Sequence, residues 1–538
     1  MLGLYTTGLS AGRGFGLQIA PPGSPDYKAG GPTAGVRRTK ILATVGPATD
    51  SVDRLRELID GGADAFRVNF SHGTDDEHRT LIRRIRAAVG RTDHEIAIVG
   101  DVQGPKIRIG ELAGGTVRLQ SGRLWVLDED PTPGDDRRVG VQIPSFERSA
   151  KPGDPVLLGD GSVSLAVVRA RPGAIEARVL NGGTVTSHAG LFLPRAHLRT
   201  SVFGEKDRHD AELGLAEGID YLALSFVRDR RDLDEVRSWL KRQPHGAEVG
   251  LIAKIERAEA LRSIDAILDA ADGIMVARGD LGIEVPLERL ALEQKNLVRK
   301  ANLSGRFVIV ATQMLLSMMH APRPTRAEAT DVANAVLDGA DAVMLSEESA
   351  VGSYPADAVR WLDRIARATE GAFDPRLVRD LDIRPSTETE RSVAGAAVRL
   401  AEGVRARAIV TPTHSGRTAR LVARLRPACP VVALSNSGAT RRRLALVGGV
   451  ISLPAPVHRD LVELRTRAAE LIVHSRIGES GPIVLTAGYP VEGRPTNLVT
   501  LVDSEPARPG VPAPGRGRTS RRRPDRSPTR GGGAGRVR

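Results

Sequence analysis

The sequence predicts an α/β protein: a (β/α)8 TIM barrel, interrupted by an inserted small β-barrel domain and followed by a second, smaller α/β domain. Three observations predict it. Eight short apolar, β-branched runs alternate with helical patterns, the signature of a parallel sheet, and eight such units suggest closure into a barrel. The interval 105–203 breaks that rhythm with Gly, Pro and short valine-bearing runs. A fresh alternation fills 390–503.

The runs come in order. "KILATVG" (40–46) opens the barrel, and Ser51 is placed to cap the helix that ends at Gly61–Gly62. "AFRVNFSHG" (65–73) precedes a helix at 75–89, and "IAIVGDVQG" (96–104) is the third run. "GTVRLQ", "DPVLLGDG" and "GAIEARVLNGG" read as strands of the insertion. The alternation resumes with "YLALSF" (221–226), "VGLIAKIE" (249–256), "GIMVARGD" (273–280), "FVIVATQ" (307–313) and "AVMLSEE" (342–348), with helices expected at 289–303, 325–337 and 355–370. The expected organisation is a low-complexity extension (1–36), the barrel (37–104 and 204–372), the insertion (105–203), the C-terminal α/β domain (385–503) and a disordered basic tail (504–538). "GRGFG" (12–16) follows no strand and is weak as a dinucleotide motif.

Composition excludes several classes. No apolar run reaches the ~18 residues that span a bilayer. The first 35 residues lack the basic-then-apolar order of a secretory signal. Cys429 is the only cysteine, so no intramolecular disulfide can form, which fits a cytoplasmic protein. The net charge of +12 is concentrated in the tail, where ten arginines face only Glu505 and Asp525. Such a tail resembles nucleic-acid-binding tails, but no aromatic residue interleaves it for stacking. Lysine is scarce, nine of 77 basic residues, so each lysine raises the question of why a compact ammonium stands there.

A barrel collects its functional groups at the carboxyl ends of the strands. Here those ends carry Arg67, Asn69, Ser71, His72, Asp101, Lys254, Glu256, Arg278, Asp280, Thr312, Gln313, Ser346 and Glu348. Lys254 and Glu256 stand two apart in "LIAKIE" and so share a face. Read singly, such a pair is as readily a structural ion pair, and Arg278 reads as a brace. Together they suggest chemistry. Glu256 and Asp280, expected on adjacent strands, offer two hard carboxylates, a set suited to Mg2+ or Mn2+ that takes its other ligands from water and substrate. Lys254 and Arg67 can neutralise a moving phosphoryl group or an enolate oxygen. Asn69, Ser71 and Asp101 suit a monovalent cation. There is no Walker A motif.

"RRTKILATVGPAT", "FRVNFSHG", "GPKIRIG", "IAKIE", "VARGDLGIE", "ATQML" and "PRPTRAEATDVANAVLDGADAVMLS" resemble, in that order, the pyruvate kinase family over about 37–503. The resemblance implies phosphoryl transfer from phosphoenolpyruvate to ADP, giving pyruvate and ATP, the last step of glycolysis, in a cytoplasmic homotetramer. It implies Lys254 as transition-state stabiliser, Glu256 and Asp280 on the divalent metal, Arg67 on the phosphoryl group, and Gly279 and Thr312 on the substrate, with Thr312 in the proton relay. Asn69, Ser71, Asp101 and the Val102 carbonyl match its monovalent-cation ligands; His72, Arg108 and Lys206 match its nucleotide contacts. The insertion becomes a lid that closes over the barrel mouth. "TPTHSGRTAR" places Thr413, Ser415, Gly416, Arg417 and Thr418 at a helix start, an expected phosphate site for a sugar-phosphate or nucleotide effector; capping by Ser415 alone is the bland alternative. The chain departs from the family pattern at Val102, Gln103, Leu316, Glu347 and Ser349. It departs also at Lys106, where many members carry glutamate; that ammonium near Asp101 predicts activity without K+. Two other readings stand beside this one: a metal-dependent aldolase or lyase acting on a pyruvate enolate, and nucleic-acid binding through the tail.

Overall fold

The computed structural model describes residues 36–90, 95–105, 107–141, 143, 145–159, 161–194, 201–375, 388–456, 460–474, 477, 481–488 and 496–503. Eight parallel strands close the barrel: β1 (Lys40–Thr44), β2 (Ala65–Asn69), β3 (Ala97–Val102), then, after eight strands of the insertion, β12 (Tyr221–Leu224), β13 (Gly250–Ile255), β14 (Gly273–Ala277), β15 (Phe307–Ala311) and β16 (Ala342–Leu345). They follow one another around the ring, and β16 pairs back onto β1. Helices alternate with the strands as the periodicity required, among them Asp75–Val89, Leu290–Ser304, Arg326–Asp338 and Pro355–Glu370. Ser51 caps its helix by accepting from the Arg54 N–H, and Thr74 with Glu77 and Thr325 with Glu328 form capping boxes.

The strands end earlier than the apolar runs suggest. β14 stops at Ala277, and Arg278, Gly279 and Asp280 begin a short helix, Arg278–Glu284. Neither Glu256 nor Asp280 therefore sits on a strand, contrary to the expectation of adjacent strands: β13 ends at Ile255, and Asp280 lies in a helix first turn, where the N-terminal dipole favours a carboxylate. β16 likewise stops at Leu345. Glu348 is fully buried in the short helix Glu347–Ala350, accepting from the Leu315 and Ser346 N–H groups, so it braces the rim rather than lining it.

The insertion holds β4 (Thr116–Leu119), β5 (Leu124–Asp128), β6 (Arg138–Gly140), β7 (Pro155–Leu158), β8 (Val163–Arg171), β9 (Ala174–Asn181), β10 (Gly183–Thr186) and β11 (Leu191–Phe192). These form a six-stranded sheet, β11-β7-β8-β9-β5-β6, and a β4–β10 pair, around one apolar core centred on Trp125 and Phe146. The C-terminal domain is a five-stranded sheet, β19 (Val450–Pro454), β18 (Val431–Ser435), β17 (Ile409–Pro412), β20 (Pro482–Ala487) and β21 (Leu498–Asp503), in that spatial order with only β21 antiparallel.

That domain docks on the amino-end face of the barrel. Ala445 and Leu446 join the buried cluster formed by inward residues such as Tyr221, Ile252 and Phe307. Gly250 and Gly273 leave room for the Tyr221 and Phe307 rings; a Cβ at either would fall 2.3–2.4 Å from a ring carbon. Arg441, Arg442 and Arg426 pair across the junction with Glu95, Asp220 and Asp341, and the Lys40 ammonium donates to the Val450 carbonyl. Ala445 and Leu446 thus cover the amino end of the barrel, opposite the polar carboxyl ends of its strands.

Candidate active site

Alternation along β13 points Ile252 and Lys254 into the barrel, and Glu256 continues the same column just past the strand. The Lys254 ammonium has three partners: Ser225 Oγ at 2.8 Å, Glu256 Oε1 at 3.1 Å and Asp101 Oδ1 at 3.2 Å. Burial works against its charge, but Asp101 and Glu256 outweigh burial and hold its pKa above that of an ordinary lysine. Asp101, inward on β3, also takes the Arg67 Nε at 2.6 Å. Burial alone would raise its carboxyl; Arg67 and Lys254 bring it below the usual range.

Glu256 behaves oppositely. Burial is the main cause of a raised pKa; Lys254 lowers it, while Asp280 and Asp101 push it up further. Its second oxygen accepts the Phe226 N–H at 2.8 Å. Two carboxylates that repel each other in a dry site are a fit for a divalent cation, whose charge would relieve the repulsion. Two carboxylates leave the remaining positions of such a cation to water or substrate oxygens, as suits Mg2+ or Mn2+.

Thr312, just past β15, adopts φ +69°, rare for a β-branched residue, and Gln313 follows at +55°. Arg278 over-determines that turn by donating to the Ala311 and Thr312 carbonyls while paired with Asp331 at 2.7 Å, which makes it the brace the sequence suggested. The turn brings the Thr312 hydroxyl to 2.8 Å from the Gly279 N–H, so these two expected substrate contacts hold each other.

The structure brings Arg67, Asp101, Lys254 and Glu256 into one hydrogen-bonded cluster, with Asp280 acting on it electrostatically. Asn69 accepts the Ser71 N–H, and the Val102 carbonyl already accepts from Ser225. Lys206 donates to the Phe70 carbonyl, beside His72, and pairs with Asp210. Arg108 lies in the insertion and donates to the His188 carbonyl. Lys106 lies outside the described residues. The insertion is tied to the barrel by Asp207, which accepts the Gly104 N–H on the outgoing chain and the Gly204 N–H on the returning chain, each at 2.9 Å. In the C-terminal domain Ser415 does not cap the helix Arg417–Arg424. Its N-cap is Gly416 at φ +77°, which has no side chain to cap with, and the Thr413 hydroxyl accepts the Gly416 N–H.

Sequence reasoning missed Ser225, the Phe226 N–H and Asp207. Ser225 alone left a signal: it is the polar residue next in the inward column after Tyr221 and Ala223.

An eight-stranded barrel with its amino end covered, an inserted β domain and a buried cluster of two cations and two carboxylates at the carboxyl end defines a barrel enzyme rather than a binding module. The comparisons give the particular family. The family model described as "Pyruvate kinase, barrel domain" matches residues 36–359, and "Pyruvate kinase, alpha/beta domain" matches 391–502. Curated pyruvate kinases are similar over most of the chain: that of Geobacillus stearothermophilus is 43% identical over 471 residues (86% of this chain, 80% of the relative), and that of Methylorubrum extorquens 40% over 469 residues (86% and 97%). A crystal structure of a pyruvate kinase from Cryptosporidium parvum superposes with a TM-score of 0.83 at 34% identity, covering 87% of this chain and 96% of that one. The chain belongs to the pyruvate kinase family.

Proposed function

We propose that this chain transfers the phosphoryl group of phosphoenolpyruvate to ADP, giving pyruvate and ATP, with the chemistry at the Lys254 cluster. The observation that carries the reading is the Arg67–Asp101–Lys254–Glu256 cluster, with Asp280 beside it, at the carboxyl end of a barrel that one family model matches over residues 36–359. Charge on a loosely bound phosphoryl group spreads over its oxygens, so catalysis is mostly positioning and electrostatic stabilisation. Arg67 and Lys254 supply two fixed cations, and Asp101 holds both in place. As the P–O bond to the enolate oxygen breaks and an ADP oxygen bonds to phosphorus, Lys254 stabilises the enolate; Thr312 relays the proton that turns enolate into pyruvate. Glu256 and Asp280 would hold Mg2+ or Mn2+, which when bound supplies further charge neutralisation on phosphoryl and enolate oxygens. Lys206 and His72 on the barrel, and Arg108 on the inserted lid, hold the nucleotide.

The monovalent subsite is Asn69, Ser71, Asp101 and the Val102 carbonyl. Asp101 already answers two cations, which supports K+ being dispensable; the role given to Lys106 rests on the sequence alone. Thr413, Ser415, Gly416, Arg417 and Thr418 form an effector phosphate site; support comes from a helix start without a side-chain cap. No helix among the described residues is long and apolar enough to cross a membrane, in keeping with a cytoplasmic enzyme. Exposed Leu287 and Leu292 on the barrel flank are consistent with a homotetramer.

The test is a coupled assay with phosphoenolpyruvate and ADP in Mg2+, run with tetramethylammonium or KCl and with a panel of sugar phosphates and nucleoside monophosphates. ATP formation is expected in both salts and is abolished by chelating the metal. No ATP with any divalent cation overturns the reading. A hundredfold K+ activation overturns the role given to Lys106, and an unchanged half-saturation across the panel reduces the effector loop to a helix start. The comparisons favour neither a lyase nor a nucleic-acid-binding role.

A further inference from the structure

We propose that Ser225 is a positioning residue that fixes the Lys254 ammonium for the reaction, an inference that rests on Lys254 being the catalytic cation. Ser225 is buried, 2% exposed, at the end of β12. Its hydroxyl has one donor and two acceptor sites. The donor goes to the Val102 carbonyl at 2.8 Å, which fixes the rotor and turns a lone pair toward Lys254, whose Nζ donates to it at 2.8 Å. Lysine has a flexible stem, so its charge is only as well placed as its partners make it. Two of the three partners are the carboxylates Asp101 and Glu256, at the longer distances of 3.2 and 3.1 Å. Ser225 is the neutral third point and pulls the ammonium toward β12. Without it, Nζ collapses onto the carboxylates, where its charge is most neutralised and least available to a substrate oxygen.

The adjacent residue supports the assignment. Phe226 sits at φ +57°, a strained conformation for an aromatic residue, and its N–H donates to Glu256. One turn thus holds both charges of "KIE". Gly104, at the mouth of the insertion, packs on this turn so closely that a Cβ would lie 3.1 Å from the Ser225 Cβ.

The test compares Ser225→Ala, Ser225→Cys and Lys254→Ala in the full chain, with thermal unfolding measured on each. Cysteine leaves no cavity at the serine's place, being slightly larger, but hydrogen-bonds weakly. The expected result is a ten- to hundredfold fall in kcat for both Ser225 variants, with the KM for ADP within twofold and folding intact. A packing role predicts that Cys restores what Ala loses. The proposal is overturned if either Ser225 variant keeps kcat within threefold while Lys254→Ala is inactive. If Lys254→Ala is itself active, the reading of the site fails, and the inference with it. If Ala unfolds, the Cys variant decides alone.

Discussion

At the scale of single residues, Lys254 and Glu256 are two neighbours with opposite electrostatic fates. Lys254 is surrounded by carboxylates and stays charged; Glu256 is buried beside Asp280 and resists ionisation. Lys254→Ala is therefore expected to cut turnover by at least two to three orders of magnitude, the ~3 kcal/mol or more that one preorganised electrostatic group supplies. Steady-state kinetics on the folded variant check it. Lys254→Arg rescues little, because the longer planar fork displaces the charge from the pocket formed by Asp101, Ser225 and Glu256. Glu256→Gln is expected to act differently. It removes half the anionic charge offered to the metal, so the Mg2+ concentration for half-maximal activity rises, measurable by titrating Mg2+ at saturating substrates.

At the scale of elements, the barrel repeats one device at its amino end. Asp64, Asp220, Asp272 and Asp341 each stand just before a strand and accept the backbone N–H of Ile41, Ile98, Leu251 and Val308 on the preceding strand. Three of them follow a positive-φ glycine by two residues, at Gly62, Gly218 and Gly339, where the chain turns out of its helix. The device fixes the register of each strand pair and with it which residues point inward. Asp64 also pairs with Arg37 at 2.9 Å and Lys40 at 3.6 Å; burial opposes its charge, but these cations pull its pKa below the usual value. Asp64→Asn is expected to cost about 3 kcal/mol at neutral pH by leaving buried cations short of a partner. The sign of the pH dependence follows from the lowered pKa. The stabilisation is complete above the unfolded carboxyl range and is lost as pH falls through the folded value, so the gap between the two proteins closes in acid. Denaturant unfolding at pH 7 and pH 3 measures it.

At the scale of the molecule, the C-terminal domain is the floor of the barrel. Leu446 is fully buried in the interior cluster, two residues past the helix Gly438–Leu444, and Thr440 on that helix donates to the His414 carbonyl of the proposed effector loop. A contact network thus joins that loop to the barrel floor beneath the Lys254 column. Leu446→Ala opens a cavity at this junction and is expected to destabilise the protein by about 2–5 kcal/mol. Calorimetry should then resolve the C-terminal domain melting ahead of the barrel, where the parent protein melts them together.

The eight strand runs, the interrupting insertion and the polar strand ends with their family motifs were legible in the linear sequence, because side-chain alternation and helical periodicity are local properties of the chain. They placed Arg67, Asp101, Lys254 and Glu256 on one rim without any contact being known. The contacts themselves are long-range. Lys254 meets Ser225 from 29 residues away and Asp101 from 153, and only closure of the ring sets those distances. The ends of the strands, and with them the helical site of Asp280 and the buried brace at Glu348, were decided where strand pairing gives out, which apolar runs do not mark. The turn at Thr312 depends on Arg278 and Asp331, from two other elements. The junction that seals the barrel uses arginines that in the sequence read only as charge. Their partners Glu95, Asp220 and Asp341 come within reach once two separately folded sheets are docked.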